Sequence, residues 1–386
     1  MKIIGVETIV PDLAVNRRFV FCRVHTDEGV VGLGQTVDLR TVGVIHDLAE
    51  RFLIGADPLR VRELWHTIFD WTAYHGYAGA EMRALSAFDI ALWDICGKSY
   101  GQPIARLLGG PIHDTTPIYN TCGTFGDFSD GRRAAADPVE LSHELLAEGI
   151  TCMKWAPFER YARESNGQRI SNAQLREGLV GIEKVASALG GQMEIMVEAH
   201  GLWTGGCAAK IAQALDGLPV PWIEDPIAQD NTEEWVRLRA RSPIPIAGGE
   251  RLLTRYQLRS LIEQGGLDVV ISDLTWSGGI TEAIRTAELA ELHGVSFATH
   301  GNSGPVNLWA SAHVLGSVAN AYAAETVRVY HHPVHGYYHQ VAEGSAILEG
   351  GSVRVPTEPG LGISLRTGFA VSQRELTGRL SGGAAS

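Results

Sequence analysis

The run QMEIMVEA, residues 192–199, is an apolar stretch of strand length whose penultimate residue is an acid, Glu198, with His200 and Gly201 directly after it. In a strand, residues two apart face the same side, so Glu198 and His200 should emerge together where the chain breaks at the glycine. The same texture recurs along the chain. PIYNTCG (117–123) and ITCMKWA (150–156) precede it, and VPWIED (220–225), PIPIAGGE (243–250), LDVVISD (267–273), VSFATH (295–300) and NAYAAET (320–326) follow, each with a helical pattern after it. Strand then helix, eight times over roughly 210 residues, is the pattern of a (β/α)8 barrel, whose usual size is about 250 residues.

The residues before this region read differently. IIGVETIV, RFVFCRVHTD and GVVGLGQT are rich in β-branched residues and glycine, as a small antiparallel meander requires, with GLGQ at Gly32 read as a turn. Apolar residues at three- and four-residue spacing then mark helices in VGVIHDLAERFL, PLRVRELWHTIFDWT and MRALSAFDIALWDICGKSYG, the last stopped by Gly101 and Pro103. The expected organisation is α/β: an α+β capping domain over 1–115 and a modified (β/α)8 TIM-like barrel over 116–325. A segment over 326–386 returns to the first domain through the hairpin-like SAILEGGSVRVPTEPGLGISL. The small-residue tail SGGAAS is expected to fray.

Composition narrows the function. The formal charge of −12 and the lack of a basic run argue against nucleic acid and anionic membrane as partners. Five scattered cysteines without a CxxC pair argue against a disulfide framework and against structural zinc, so they are read as reduced thiols. No apolar segment approaches the ~18 residues of a membrane span and the N-terminus lacks a signal-type apolar core, which gives a cytoplasmic expectation.

Polar residues close the candidate strands: Lys154, Glu198, Glu224, Glu250, Asp273, His300 and Glu325, the last six spaced by 26, 26, 23, 27 and 25 residues. Each gap is one strand–helix unit, so all should emerge at one mouth of the barrel, where barrel enzymes place their chemistry. Any single glutamate could be an ordinary solvated strand-end acid, but three on consecutive strands would repel one another unless a cation neutralised them. Oxygen-only ligands favour Mg2+ over zinc. His300 with Asp273 on the preceding strand makes a general base whose tautomer the carboxylate holds, the alternative being that each merely caps the helix after it. Lys154 could neutralise a substrate carboxylate, act as a second base or snorkel at the surface, and Glu325 could hydrogen-bond the substrate or simply end its strand. Ser277–Ile280 (SGGI) reads as a turn into a helix. The His331–His332 pair is a weaker signal, and the aromatic segment FDWTAYHGY (69–77) could cover the barrel mouth.

Jointly VEAHG, WIEDP, AGGE, the DLTWSGGITEA block, THGNSGP and AAET resemble the enolase superfamily, mandelate racemase subgroup, and within it the acid-sugar dehydratases. The resemblance spans nearly the whole chain. It implies a capping domain over a modified barrel, Mg2+ on Glu198, Glu224 and Glu250, a His300–Asp273 base acting through an enediolate, and a homo-oligomer such as a dimer, tetramer or octamer. Racemases of this subgroup carry Lys-x-Lys at the end of the second barrel strand, and here the positions read Lys154, Trp155, Ala156. His200 matches the general-acid position of galactonate- and mannonate-type dehydratases, while Glu198 stands where several of them have Asp. The implied reaction is Mg2+-dependent dehydration of a sugar acid, an aldonate, to a 2-keto-3-deoxy acid. Cycloisomerisation of a cyclic or anhydro sugar acid, epimerisation of a 2-hydroxy acid with Lys154 as partner base, and a catalytically silent binding barrel stand as alternatives.

Overall fold

The computed structural model of the chain describes residues 1–13, 19–344 and 347–380; the SGGAAS tail lies outside them. Strands Ile3–Pro11, Phe19–Thr26 and Val31–Val37 form the expected antiparallel meander, dense in Val, Ile and Phe. Helices Thr41–Leu48, Val61–Ala73 and Ala80–Tyr100 follow, the last terminated by Gly101 in the left-handed region at φ 63°. GLGQ is not a turn but part of the third strand. A Cβ on Gly32 would come within 2.1 Å of the Ala91 carbonyl oxygen, and one on Gly34 within 1.9 Å of that of Ala87, so these glycines let helix Ala80–Tyr100 lie directly on the sheet.

Eight parallel strands close the barrel: Thr115–Thr121, Cys152–Trp155, Glu194–Glu198, Ile223–Glu224, Ile246–Gly248, Val269–Ser272, Ser296–Thr299 and Ala321–Thr326, the eighth pairing back onto the first. The period-two rule explains the interior. Cys152, Met196, Trp222 and Ala323 belong to a buried cluster separate from the main core, and two residues further along the same faces stand Lys154, Glu198, Glu224 and Glu325. Apolar side chains thus fill the barrel from below, and the polar set sits on that plug.

The hairpin Leu348–Glu349/Ser352–Arg354 departs from expectation. It pairs with the first half of barrel strand Thr115–Thr121, whose second half alone is covered by the short strand Cys152–Trp155, so it occupies an edge the barrel leaves open. Strand Val371–Gly378 reaches the capping sheet, pairing antiparallel with Ile3–Pro11.

The capping domain grips the barrel at one helix. Gly278 (φ 110°) precedes helix Gly279–Leu292 and has no side chain to cap it. Ser86 Oγ instead accepts the Gly278 N–H at 2.8 Å, Asp89 Oδ2 accepts that of Thr281 at 2.9 Å, and Trp65 Nε1 donates to the Gly278 carbonyl at 2.8 Å. SGGI is therefore a turn into a helix, as read from the sequence. All five cysteines are free, and among the described residues no helix is long and apolar enough to cross a membrane.

Candidate active site

The strand ends converge on a cavity of about 630 Å3, within the size range of small-molecule sites. Its wall includes Lys154, Glu198, His200, Glu250, His300 and Glu325. Two of the sequence-read residues lie just behind that wall. Glu224, fully buried, sits beneath Lys154, and Asp273, also fully buried, backs His300.

Lys154 is 2% exposed, so it does not snorkel. Its Nζ lies 2.5 Å from Glu224, 3.2 Å from Glu198 and 3.3 Å from Glu325. Burial opposes its charge, yet these carboxylates outweigh burial and hold the ammonium well above the ordinary lysine range. Glu224 is also pushed well above the carboxylate range, first by burial and then by repulsion from Glu198, Glu325 and Glu250 that Lys154 only partly offsets. The two shifts differ in cause: the surrounding carboxylates raise Lys154 against its burial, whereas burial itself leads the rise of Glu224 and the neighbouring carboxylates add to it.

Neither His300 nor Asp273 caps a helix; the caps are Gly304 and Gly278. His300 Nδ1 instead donates to Asp273 Oδ2 at 2.6 Å. Asp273 is further held by the Thr275 N–H and hydroxyl, at 2.7 and 2.6 Å, and by Ser303 Oγ at 2.6 Å. Asn307 Nδ2 donates to the His300 carbonyl at 2.8 Å, fixing the loop that carries the ring. His300 Nε2 faces Glu250 at 3.2 Å and Glu325 at 3.7 Å. Burial lowers the imidazole pKa, but Glu250, Glu325 and Asp273 override it and raise it to about 9.

Glu325 is ionised. Burial raises it, while Lys154, His300, the Thr121 hydroxyl and the Gly301 N–H (2.7 Å) pull it down to about 2. It is a hydrogen-bond acceptor in this arrangement, not a donor.

His200 does not share a strand with Glu198, because the strand ends at Glu198. The chain turns there through a left-handed residue, His200 at φ 51°, whose N–H donates to Glu198 Oε1 at 2.8 Å. The two side chains reach one cavity by this turn and not by strand alternation.

Several contributors were not read from the sequence. Asp225 is buried beside Gln229 and Arg251, and burial followed by repulsion from Glu250 and Glu198 pushes it well above its usual range. The tandem carboxylates of WIEDP were its one available signal. The Trp276 ring centroid lies 4.6 Å from that of His300, and the Arg83 guanidinium of the capping helix lies over the same indole, 4.9 Å from its centroid. Gln35 of the third capping strand donates to the Ser303 carbonyl and accepts the Val306 N–H at 3.1 Å, and Thr36 donates to the Thr275 carbonyl at 2.9 Å. Adjacent capping residues thus hold both loops that hydrogen-bond Asp273. The aromatic segment 69–77 does not line the cavity among the described residues. Phe69 stacks on Tyr256, outside it, while His331 and His332 lie off the cavity wall.

Among the described residues no three His, Cys, Asp or Glu side chains are closed around one point as a metal site. The donor set nevertheless fits a hard divalent cation: Glu198, Glu224 and Glu250 are buried oxygen donors at the ends of three consecutive strands, and Lys154 reaches only the first two of them.

Two family descriptions match the sequence: "Mandelate racemase / muconate lactonizing enzyme, N-terminal domain" over residues 12–109 and "Enolase C-terminal domain-like" over residues 137–368. A D-galactonate dehydratase of Ralstonia nicotianae is 32% identical over 368 residues, covering 92% of this chain and 91% of the relative. A D-xylonate dehydratase of Haloferax volcanii is 28% identical over 351 residues, covering 91% and 84%. A solved structure of an enolase of the mandelate racemase subgroup from Agrobacterium tumefaciens superposes with a TM-score of 0.86 at 39% identity, over 98% of this chain and 99% of that one.

Proposed function

Because the chain belongs to the mandelate racemase/muconate lactonizing enzyme family of the enolase superfamily, we propose that it is a Mg2+-dependent carbon–oxygen lyase that dehydrates an aldonate to a 2-keto-3-deoxy acid. The substrate class follows the relatives named for D-galactonate and D-xylonate. The observation that carries elimination over epimerisation is the placement of two histidines on one cavity, His300 after the seventh barrel strand and His200 after the third. Four strands apart in a closed ring of eight, they approach the substrate from opposite sides.

Glu198, Glu224 and Glu250 would hold Mg2+, which when bound supplies a Lewis acid for the charge that grows on the substrate carboxylate. Lys154 adds a fixed ammonium to the same carboxylate. His300 takes the C2 proton at Nε2 in its neutral form, a strong base because its pKa is raised, while Nδ1 stays bound to Asp273, which keeps the ring oriented and stabilises the imidazolium. The electrons of the C2–H bond pass into the C1–C2 bond to give the enediolate. They then form C2=C3 as the C3–O bond breaks, and His200 protonates the departing hydroxyl, so water leaves. The enol tautomerises to the 2-keto acid. Glu325 takes no proton in this scheme; it holds Lys154 and the Gly301 backbone in place.

Epimerisation would need a second base, and the second barrel strand offers Lys154 with Ala156 two residues on, its ammonium taken up by Glu224, Glu198 and Glu325. Cycloisomerisation uses the same first step and differs only in the oxygen expelled.

The division of labour has a direct test. With a turned-over aldonate in D2O, His200→Asn should still exchange the C2 proton at close to the wild-type rate, because the His300–Asp273 pair is untouched. Product formation should fall roughly 100-fold to 10,000-fold, the usual cost of losing a general acid. Dehydration by His200→Asn at the wild-type rate, followed by NMR, would move the leaving-group acid to another residue.

A further inference from the structure

Glu159 lies in the first turn of the short helix Glu159–Ser165 that follows the second barrel strand, and its side chain lines the same cavity as His200. Its two carboxylate oxygens are used differently. Oε1 accepts from Arg163 Nε, one turn along, at 2.8 Å. Oε2 is thereby left facing His200 Nδ1 at 3.1 Å, ion-pair distance although out of line for a finished hydrogen bond. That nitrogen is buried and has no hydrogen-bond partner in the described structure. The rest of the imidazole is looser, with the side chain 39% exposed. The His200 backbone is fixed from the barrel side by its bond to Glu198, but nothing on that side fixes the ring. A partly exposed side chain has several rotamers open to it, and a catalytic imidazole needs one of them, with one nitrogen turned to the substrate.

We propose that Glu159 is the positioning residue for His200: its Oε2 accepts from Nδ1–H, selects the ring orientation and leaves Nε2 directed at the substrate's C3 hydroxyl, while Arg163 orients the carboxylate. The assignment rests on the reading of His200 as the leaving-group acid. It gives the helix after the second barrel strand a part in elimination, although that strand supplies only Lys154 to the buried carboxylate cluster.

The test uses the Mg2+-loaded full chain with an aldonate that the wild type turns over, in D2O. Glu159→Ala should keep C2 exchange and KM at wild-type values while product formation falls about 10-fold to 100-fold, the usual cost of losing an orienting partner. Arg163→Ala, whose side chain is 65% exposed and whose loss the fold tolerates, should shift the same ratio of exchange to elimination in the same direction by a smaller factor. A purely structural role for Glu159 would depress exchange and elimination together, and that result overturns the proposal. So does wild-type elimination in Glu159→Ala, or, should that variant not fold, an unchanged ratio in Arg163→Ala. If His200→Asn retains wild-type elimination, the underlying reading of His200 fails. If His200→Asn separates exchange from elimination and Glu159→Ala does not, only the positioning role fails.

Discussion

Replacing His300 by Asn is expected to abolish C2 exchange and product formation together, by roughly 100-fold to 10,000-fold, the range for loss of a general base. The expectation follows from where the ring sits. His300 is the imidazole locked to a buried carboxylate, and its free nitrogen faces the cavity at 3.2 Å from Glu250. An asparagine at 300 keeps the backbone bonds of the loop, in which the 300 N–H donates to the Ser272 carbonyl and Asn307 holds the 300 carbonyl. Asp273 likewise keeps the Thr275 and Ser303 donors, so it is not left bare. Fold and Mg2+ affinity should therefore survive while chemistry does not. NMR of the C2 position in D2O reads this directly, and C2 exchange at the wild-type rate in His300→Asn would remove the base assignment.

Glu224→Gln should be as damaging by a different route. Gln keeps the shape, and its one carbonyl oxygen can still accept from Lys154 Nζ, which lies 2.5 Å from Glu224 Oε1, at the cost of the longer Trp222 Nε1 contact at 3.2 Å. Burial and the neighbouring carboxylates already push Glu224 well above the carboxylate range without metal, so a neutral amide there costs little and the metal-free variant should melt close to the wild type. It should nonetheless bind Mg2+ at least about 100-fold more weakly, since losing a mere orienting neighbour of a metal ligand already costs about 10-fold to 100-fold. The rise in melting temperature that Mg2+ confers through binding to the folded state should then vanish along with turnover. Calorimetric Mg2+ affinity equal to that of the wild type would contradict the ligand assignment even if activity were lost for another reason.

These two predictions rest on residues that the sequence could reveal, because a barrel strand ends once per repeat and the polar group at each end recurs at nearly constant spacing. Lys154, Glu198, Glu224 and Glu325 were legible for a further reason, each standing two residues beyond an apolar side chain of the barrel interior. Asp225, Thr121, Trp276, Gln35 and Glu159 were not legible. Each acts through a neighbour on another strand, loop or domain, and no local periodicity records a contact such as that of Gln35 with Ser303, 268 residues away. The turn at His200 was misread because the strand stops at Glu198 and His200, held by the Glu198 side chain, is already left-handed before Gly201 continues the turn at φ 68°. GLGQ was misread for the converse reason: glycine was taken as a turn signal where its use is close packing of helix on sheet.

The contacts of Gln35 and Thr36 also tie the capping domain to the proposed base. They fix the Ser303 and Thr275 loops that donate to Asp273, and Arg83 packs on the Trp276 ring beside His300. The geometry of the His300–Asp273 pair is thus set by the capping domain as well as by the barrel.

Incubation of the full chain with Mg2+ and a panel of aldonates that includes galactonate and xylonate, with products identified by NMR, tests the central claim most directly. The expected result is a 2-keto-3-deoxy acid from at least one member, silent after EDTA treatment and restored by Mg2+. A product that keeps its C3 hydroxyl and differs only in configuration at C2, or no turnover of any member, would contradict it.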